Sequence, residues 1–207
     1  MIFPRVFRHL FGIFVCPVTT GHGFKSTNSK CNIKNVDMIN KRVETAINEQ
    51  INAELWSAYL YLSMSAYFNE IGLNGFANWM RIQWQEETAH AMKFFGYLAE
   101  RGGRVLLKPI ADVPARWEGP LNAFEEVLKH EEHVTSLINN LMDIAIEEKD
   151  HATKSFLQWF VDEQVEEEAS AQEIIDSLKL VDVKGNGLFM LDRELKQRVF
   201  VDPNTAE

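Results

Sequence analysis

Cysteine is nearly missing from this chain. Its two copies, Cys16 and Cys31, both fall within the first 36 residues. The body from residue 37 onward therefore has no disulfide, and a reducing compartment suits it. The lack of thiolates there also argues against iron–sulfur chemistry. Long apolar runs are missing too, and none approaches the length needed to span a bilayer. Acid is absent from residues 1–36, which carry Arg5, Arg8, Lys25, Lys30 and Lys34. Since the whole chain has a net charge of −9, the remainder is more acidic still. An acidic body disfavours nucleic acid as a partner and suits attraction of cations. The 207 residues, 46 % hydrophobic, are enough for one good core with an appendage.

Residues 1–36 differ from the rest in kind. They join a short apolar run, Leu10 to Val15, to Pro4, Pro17 and a Gly/Ser/Thr/Asn-rich stretch. Three readings stand side by side: a secretory signal, an organelle transit peptide, or a misjudged start with translation beginning at Met38. Under each, the segment is a basic, disordered leader outside the fold. The cytoplasm is the expected location, with organelle or secretory targeting by residues 1–36 as the alternative.

From Met38 the pattern is helical. Asp37 can cap a helix that runs to about Glu70, where Gly72 breaks it. Asn74 can cap a second helix, which Gly102-Gly103 closes after Arg101. Residues 103–120 hold Pro109, Pro114, Gly119 and Pro120. They are too many for a tight hairpin and predict a crossover. A third helix is expected from Leu121 to Glu148. A fourth runs from Thr153 to Lys179, with Asp150 or its neighbours at the break. Gly185-Asn186-Gly187 precedes a short amphipathic helix from Leu188 to about Gln197. A lone bundle has no place for a fifth apolar stripe, so this helix is expected at a subunit junction. The expected fold is all-α: a four-helix bundle with one long crossover over residues 37–182, then a short fifth helix and polar tail over 183–207.

Each long helix carries an apolar stripe with a polar interruption. The first runs Val43, Ile47, Ile51, Glu54, Ala58, Tyr61, Ser65, Phe68. The second runs Phe76, Met80, Gln83, Glu87, His90, Phe94, Tyr97. The third runs Phe124, Leu128, Glu131, Thr135, Ile138, Met142, Ala145, and the fourth Phe156, Phe160, Gln164, Glu167, Ala171, Ile174, Leu178. Residues three and four apart share a helix face, so these carboxylates point into the core. A buried carboxylate is costly unless something pairs with it. Glu54, Glu87, His90, Glu131, Gln164 and Glu167 would converge on one interior point. Metal is the simplest partner for that many oxygens and one imidazole. The donors suit Fe(II), Mn(II) or Zn(II). Glu87 is placed to bridge two ions, with Glu54 and His90 completing one and Glu131 and Glu167 the other. Gln164 is a weak or outer partner. Tyr61, two turns after Glu54, either hydrogen-bonds a ligand, donates an electron, or simply packs.

These residues, with their neighbours, call up a family. The stretches are Asn48-Glu49-Gln50-Ile51-Asn52-Ala53-Glu54, Gln85-Glu86-Glu87-Thr88-Ala89-His90, Lys129-His130-Glu131, Phe156-Leu157-Gln158-Trp159-Phe160, Glu163-Gln164-Val165-Glu166-Glu167-Glu168 and Gly187-Leu188-Phe189-Met190-Leu191-Asp192-Arg193-Glu194-Leu195. From Met38 to about Gln197 the chain resembles the bacterial non-haem ferritins. The resemblance implies that Glu54, Glu87 and His90 bind the first iron. Glu87, Glu131 and Glu167 bind the second, with Gln164 and Tyr61 beside them. It further implies a third, inner iron site at Glu86, Glu163, Glu166 and Glu167. Haem-binding bacterioferritins carry Met directly after the bridging Glu and Glu-x-x-His in the second half. Here Thr88 and Gln164-x-x-Glu167 stand there, so no haem is expected.

The resemblance implies a ferroxidase that oxidises paired Fe(II) with dioxygen and stores Fe(III) as a hydrated oxide mineral. It also implies a homo-oligomeric hollow shell of roughly 24 subunits, closed by symmetry. The rivals are a non-storage di-metal oxidase or peroxidase bundle and a small DNA-protecting shell protein. The first would usually append a four-cysteine iron domain, and the second builds its metal site across subunits.

Overall fold

The computed structural model describes residues 38–181 and 185–202. The leader and the cap expected at Asp37 lie outside them. Among the described residues the chain forms α1 (Lys41–Glu70), α2 (Asn74–Glu100), α3 (Pro120–Glu147), α4 (His151–Leu180) and α5 (Asn186–Leu195), with no strand. The expected all-α bundle with one long crossover is what folds. The pairs α1/α2 and α3/α4 pack most extensively, and α1 meets α3 across them.

The helix ends follow from local chemistry. The described start of α1 is capped by Asn40, whose Oδ1 accepts from Arg42 N at 2.7 Å. Gly72 takes φ +82° and Gly102 φ +69°, left-handed values that a side chain disfavours, so α1 and α2 stop where the glycines stand. α3 ends differently, with Lys149 itself in the left-handed region at φ 57°. Asp150 then caps α4 by accepting from Thr153 N at 3.0 Å, and it also receives Arg101 at 3.1 Å. That ion pair ties the end of α2 to the start of α4.

Asn74 does not cap α2. Leu73 holds the N-cap position without a side-chain bond. The cap comes from α5: Asp192 Oδ1 accepts from Gly75 N at 2.7 Å and from Phe76 N at 3.2 Å. A carboxylate at the free N–H groups of a helix start satisfies donors and complements the dipole. The apolar face of α5 is also used within the chain, since Leu188, Leu191 and Leu195 pack on the core. The single-chain bundle therefore does have a place for a fifth stripe. Phe189 and Met190 remain exposed on the other face.

The crossover, residues 101–119, lies along α1 and is fastened by its polar side chains. Asn48 Nδ2 donates to Arg104 O at 3.0 Å, and Asn48 Oδ1 accepts from Leu106 N at 2.6 Å. Ser63 Oγ donates to Pro114 O at 2.6 Å. These bonds satisfy backbone groups of a segment that has no ladder of its own.

Two apolar cores fill the bundle. One contains Tyr67, Phe68, Phe76, Trp79, Phe124 and Leu178, the other Val43, Ile47, Phe94, Leu141, Leu157 and Phe160. Each such side chain contributes about 1.5–3 kcal/mol on burial. On all four long helices buried polar side chains lie between the two cores: Gln50 and Glu54, Gln83, Glu87 and His90, Glu131, Gln164 and Glu167. The fold thus holds a buried polar layer between two apolar halves. On α3 the buried row is Phe124, Val127, Glu131, Val134, Ile138, Leu141 and Ala145. Leu128, Thr135 and Met142 of the expected stripe sit only half-buried beside it.

Candidate metal centre

α1 places Glu54 and Tyr61 in the polar layer, α2 places Gln83, Glu87 and His90, α3 places Glu131, and α4 places Gln164 and Glu167. All eight are buried. Ligand atoms of Glu54, Glu87 and His90 lie within 4.8 Å of one another, as do those of His90, Glu163 and Glu167. His90 belongs to both groups and so joins them. Its Nδ1 is 3.7 Å from Glu87 Oε2.

Several neighbours orient the carboxylates. Gln50 Nε2 donates to Glu54 Oε1 at 2.9 Å. Gln83 Nε2 donates to Glu167 Oε2 at 2.7 Å. Tyr61 Oη donates to Glu131 Oε1. Gln164 Nε2 lies 3.3 Å from Glu131 Oε2, Glu131 O and Thr135 Oγ1. Other atoms are left over. Glu54 Oε2, Gln83 Oε1, Glu87 Oε2 and His90 Nε2 are buried and have no hydrogen-bond partner. A buried acceptor without a partner costs about 1–3 kcal/mol. Glu54 and Glu87 each leave a carboxylate oxygen open, and with His90 they bring ligand atoms within 4.8 Å of one another, an arrangement that fits a cation as their common partner.

The electrostatics agree. Burial, then repulsion from Glu87, holds the Glu54 carboxyl well above its ordinary range. Burial does the same for Glu87, reinforced by Glu131 and Glu167. Glu131 is pushed up to about 8, again by burial first and Glu167 second. Burial and the Glu131 charge raise the Tyr61 hydroxyl, which keeps it a donor. Crowded, desolvated carboxyls hold protons until positive charge replaces them.

The remaining acids are arranged differently from one another. Glu163 is half-buried, and desolvation raises it while His90 opposes the rise. Glu86 is also half-buried and is paired at 2.7 Å with Arg198. Glu166 is exposed and stands outside both three-residue groups.

The sequence pattern did not single out five contributors. Gln83 lay on the stripe, and Gln50 lies one turn before Glu54, so both had a helical-spacing signal. His130 accepts no role from spacing. Its Nε2 is 2.8 Å from Ser57 Oγ, its ring meets Trp56 at 5.2 Å, and burial lowers it to about 4, so it stays neutral. Glu168 receives Thr135 Oγ1 at 2.5 Å. Arg198 reaches the layer only because the segment after α5 returns along α2, which no local pattern encodes.

Residues 44–181 match the model of the ferritin-like domain family. The chain belongs to the non-haem ferritins of that family. Its relatives include the bacterial non-heme ferritin of Bacteroides fragilis, 50 % identical over 161 residues, which covers 78 % of this chain and all of the relative. The bacterial non-heme ferritin of Campylobacter jejuni is 39 % identical, covering 77 % of this chain and 95 % of the relative. Among solved structures, the open-pore ferritin of the hyperthermophilic archaeon Archaeoglobus fulgidus is 54 % identical with a TM-score of 0.77, covering 78 % of this chain and 99 % of that one. An engineered closed form of the same ferritin gives a TM-score of 0.78, with 79 % and 99 % covered. Among the described residues no helix is long and apolar enough to cross a membrane.

Proposed function

We propose that this ferritin is an iron-storage ferroxidase: it binds Fe(II) in pairs in the polar layer, oxidises it with dioxygen, and stores Fe(III) as a hydrated oxide. The observation that carries the reading is the set of open, buried ligand atoms on Glu54, Glu87 and His90. Fe(II) is the substrate. Glu54, Glu87 and His90 take the first ion, and Glu87, Glu131 and Glu167 the second, with Glu87 shared. Gln50 and Gln83 hold the carboxylates of Glu54 and Glu167, while Tyr61 and Gln164 hold Glu131. Such preset ligands need little rearrangement when the ions enter.

Each Fe(II) gives up one electron and dioxygen accepts the pair. The protein positions the ions and offsets their charge. Protons held by Glu54, Glu87 and Glu131 leave as the cations arrive. A third, inner iron position at Glu86, Glu163, Glu166 and Glu167 completes the reading. The shared His90, touching both groups, supports a short inward path.

The same reading makes the chain one subunit of a hollow homo-oligomer of roughly 24 copies, closed by symmetry. Its support is the apolar surface on α1 and the crossover, where Tyr59, Leu62, Leu106, Leu107 and Ile110 are exposed in the single chain. A cytoplasmic location goes with it, in keeping with a body free of cysteine.

Anaerobic Fe(II) titration tests the assignment. The parent should fill two tight positions per chain. Glu87→Ala removes the shared ligand and should lose the pair, while His90→Ala should mainly weaken the first position. Two tight positions still filled in the Glu87 variant would rule the assignment out.

A further inference from the structure

The carboxylate of Glu86 is already occupied by a cation of the chain itself. Arg198 Nη2 lies 2.7 Å from Glu86 Oε2, and the two side chains are 26 % and 17 % exposed. The guanidinium also sits 4.6 Å over the Trp79 ring. Its position is built rather than incidental. Asp192 fastens α5 to the first turn of α2. Asn78 Nδ2 then holds the following strand of backbone, with Leu195 O at 3.3 Å, Lys196 O at 3.4 Å and Arg198 O at 3.0 Å. Asn78 and Glu86 lie about two turns apart on α2, and the side chains of Asn78, Arg198 and Glu86 bridge that span together.

Glu86 directly precedes Glu87 and feels the charges of Glu167, His90 and Glu163. It therefore belongs to the edge of the polar layer. A divalent ion that takes Glu86 as a ligand must displace Arg198 or share the carboxylate with it. The guanidinium is displaceable. It makes one bond to the carboxylate rather than the bidentate fork that arginine prefers, and its Nη1 is buried without a hydrogen-bond partner.

We propose that Arg198 is a positioning residue for the third metal position: it holds Glu86 as a paired carboxylate and keeps that position weaker than the central pair. Filling then proceeds in order, centre first and inner position after. The inference rests on the proposed di-iron reading and adds to it a residue that no ligand motif contains. An intramolecular cation raises the dissociation constant at Glu86 by competition. At the central pair, Glu54 and Glu131 face other helices and are touched by Gln50, Tyr61 and Gln164 instead, so the same effect is small there.

Calorimetric titration of the assembled full chain with Zn(II), which does not oxidise, reads binding without activity. The parent should show two tight ions per chain and a weaker third. Arg198→Gln should tighten the third by up to about fivefold, the upper end of what a partly exposed ion pair contributes when it no longer competes. The central pair should change far less. Arg198→Lys keeps the charge and should stay near the parent. On a Glu86→Gln background, Arg198→Gln should have no further effect on metal binding. The backbone bonds from Asn78 survive these changes, and an unchanged assembly mass and melting temperature confirm that the fold does too. An unchanged or weakened third position in a folded Arg198→Gln shell overturns this inference alone. A parent that binds no tight pair overturns the di-iron reading on which it rests.

Discussion

At the scale of single residues, the apo-protein carries carboxyls it would rather keep protonated. Burial, then repulsion from Glu167, pushes Glu131 up to about 8 from an ordinary 4.5. A group whose folded value is raised stabilises fully below the unfolded value and loses that contribution as pH rises through the folded one. Glu54 and Glu87 are shifted in the same direction, and Glu86 is raised to about 7 by burial, with Arg198 opposing. His130 has the opposite sign: lowered to about 4 from 6.5, it stabilises above 6.5 and loses that as pH falls. Between pH 6.5 and 8 only the carboxyls contribute a slope. The apo-protein should therefore melt at lower temperature as pH rises across that window, and saturating Zn(II) should remove or reverse the trend. Glu131→Gln should flatten the apo slope. Calorimetric melting at fixed ionic strength reads all three, and a flat apo profile would count against a buried protonated cluster.

The burial of the six candidate ligands was legible because four helices repeat the same interruption, a polar side chain on an apolar stripe that is expected to point where its neighbours point. Glu54, Glu87, His90, Glu131, Gln164 and Glu167 are all buried where that rule put them. What orients them was less legible. Gln50 and Gln83 read equally well as ordinary helix residues, and only the structure shows which carboxylate each holds. Arg198 was out of reach, since its contact with Glu86 joins residues 112 apart in sequence.

At the scale of elements, the four long helices followed from period and breakers, and their caps did not always. Asn74 is a good cap by type, yet Asp192 takes that role because α5 docks beside the start of α2. Asp192→Ala should cost about 1 kcal/mol, the usual value of a lost helix cap. Chemical denaturation or melting of the assembled protein measures it, and a change near zero would mean the cap is dispensable. Gly75 makes the same junction close. A Cβ there would lie 1.6 Å from Asp192 O, so Gly75→Ala must push α5 away. That variant should lose the Arg198–Glu86 pair as well, and should bind the third Zn(II) more tightly, as Arg198→Gln does. A crystal structure of Gly75→Ala with α5 in place would contradict the packing described. α3 shows a further limit of pattern reading. Leu128, Thr135 and Met142 share a face with Glu131, but the deeper row runs through Val127, Val134 and Leu141, because both rows fit the helical period.

At the scale of the whole molecule, two apolar cores clamp a polar layer that is costly without metal. The arrangement explains why removing one ligand need not unfold the bundle: Glu87→Ala removes a buried, repelling carboxyl and should leave the apo-protein at least as stable. The outer surface adds the second claim. Tyr59, Leu62, Leu106 and Leu107 are exposed large apolar side chains on α1 and the crossover. Tyr59→Glu with Leu62→Glu should shift the assembly toward smaller species in native mass measurements, and an unchanged mass would place the contacts elsewhere.

The central claim, a paired iron site that oxidises Fe(II), is tested most directly by stopped-flow oxidation with dioxygen at increasing Fe(II) per chain. The rapid phase of the parent should grow until about two Fe(II) per chain and then saturate, as a two-ion carboxylate site requires. Glu87→Ala should lose that phase. A rapid phase that rises with no break, or one that the Glu87 variant retains in full, would contradict the account.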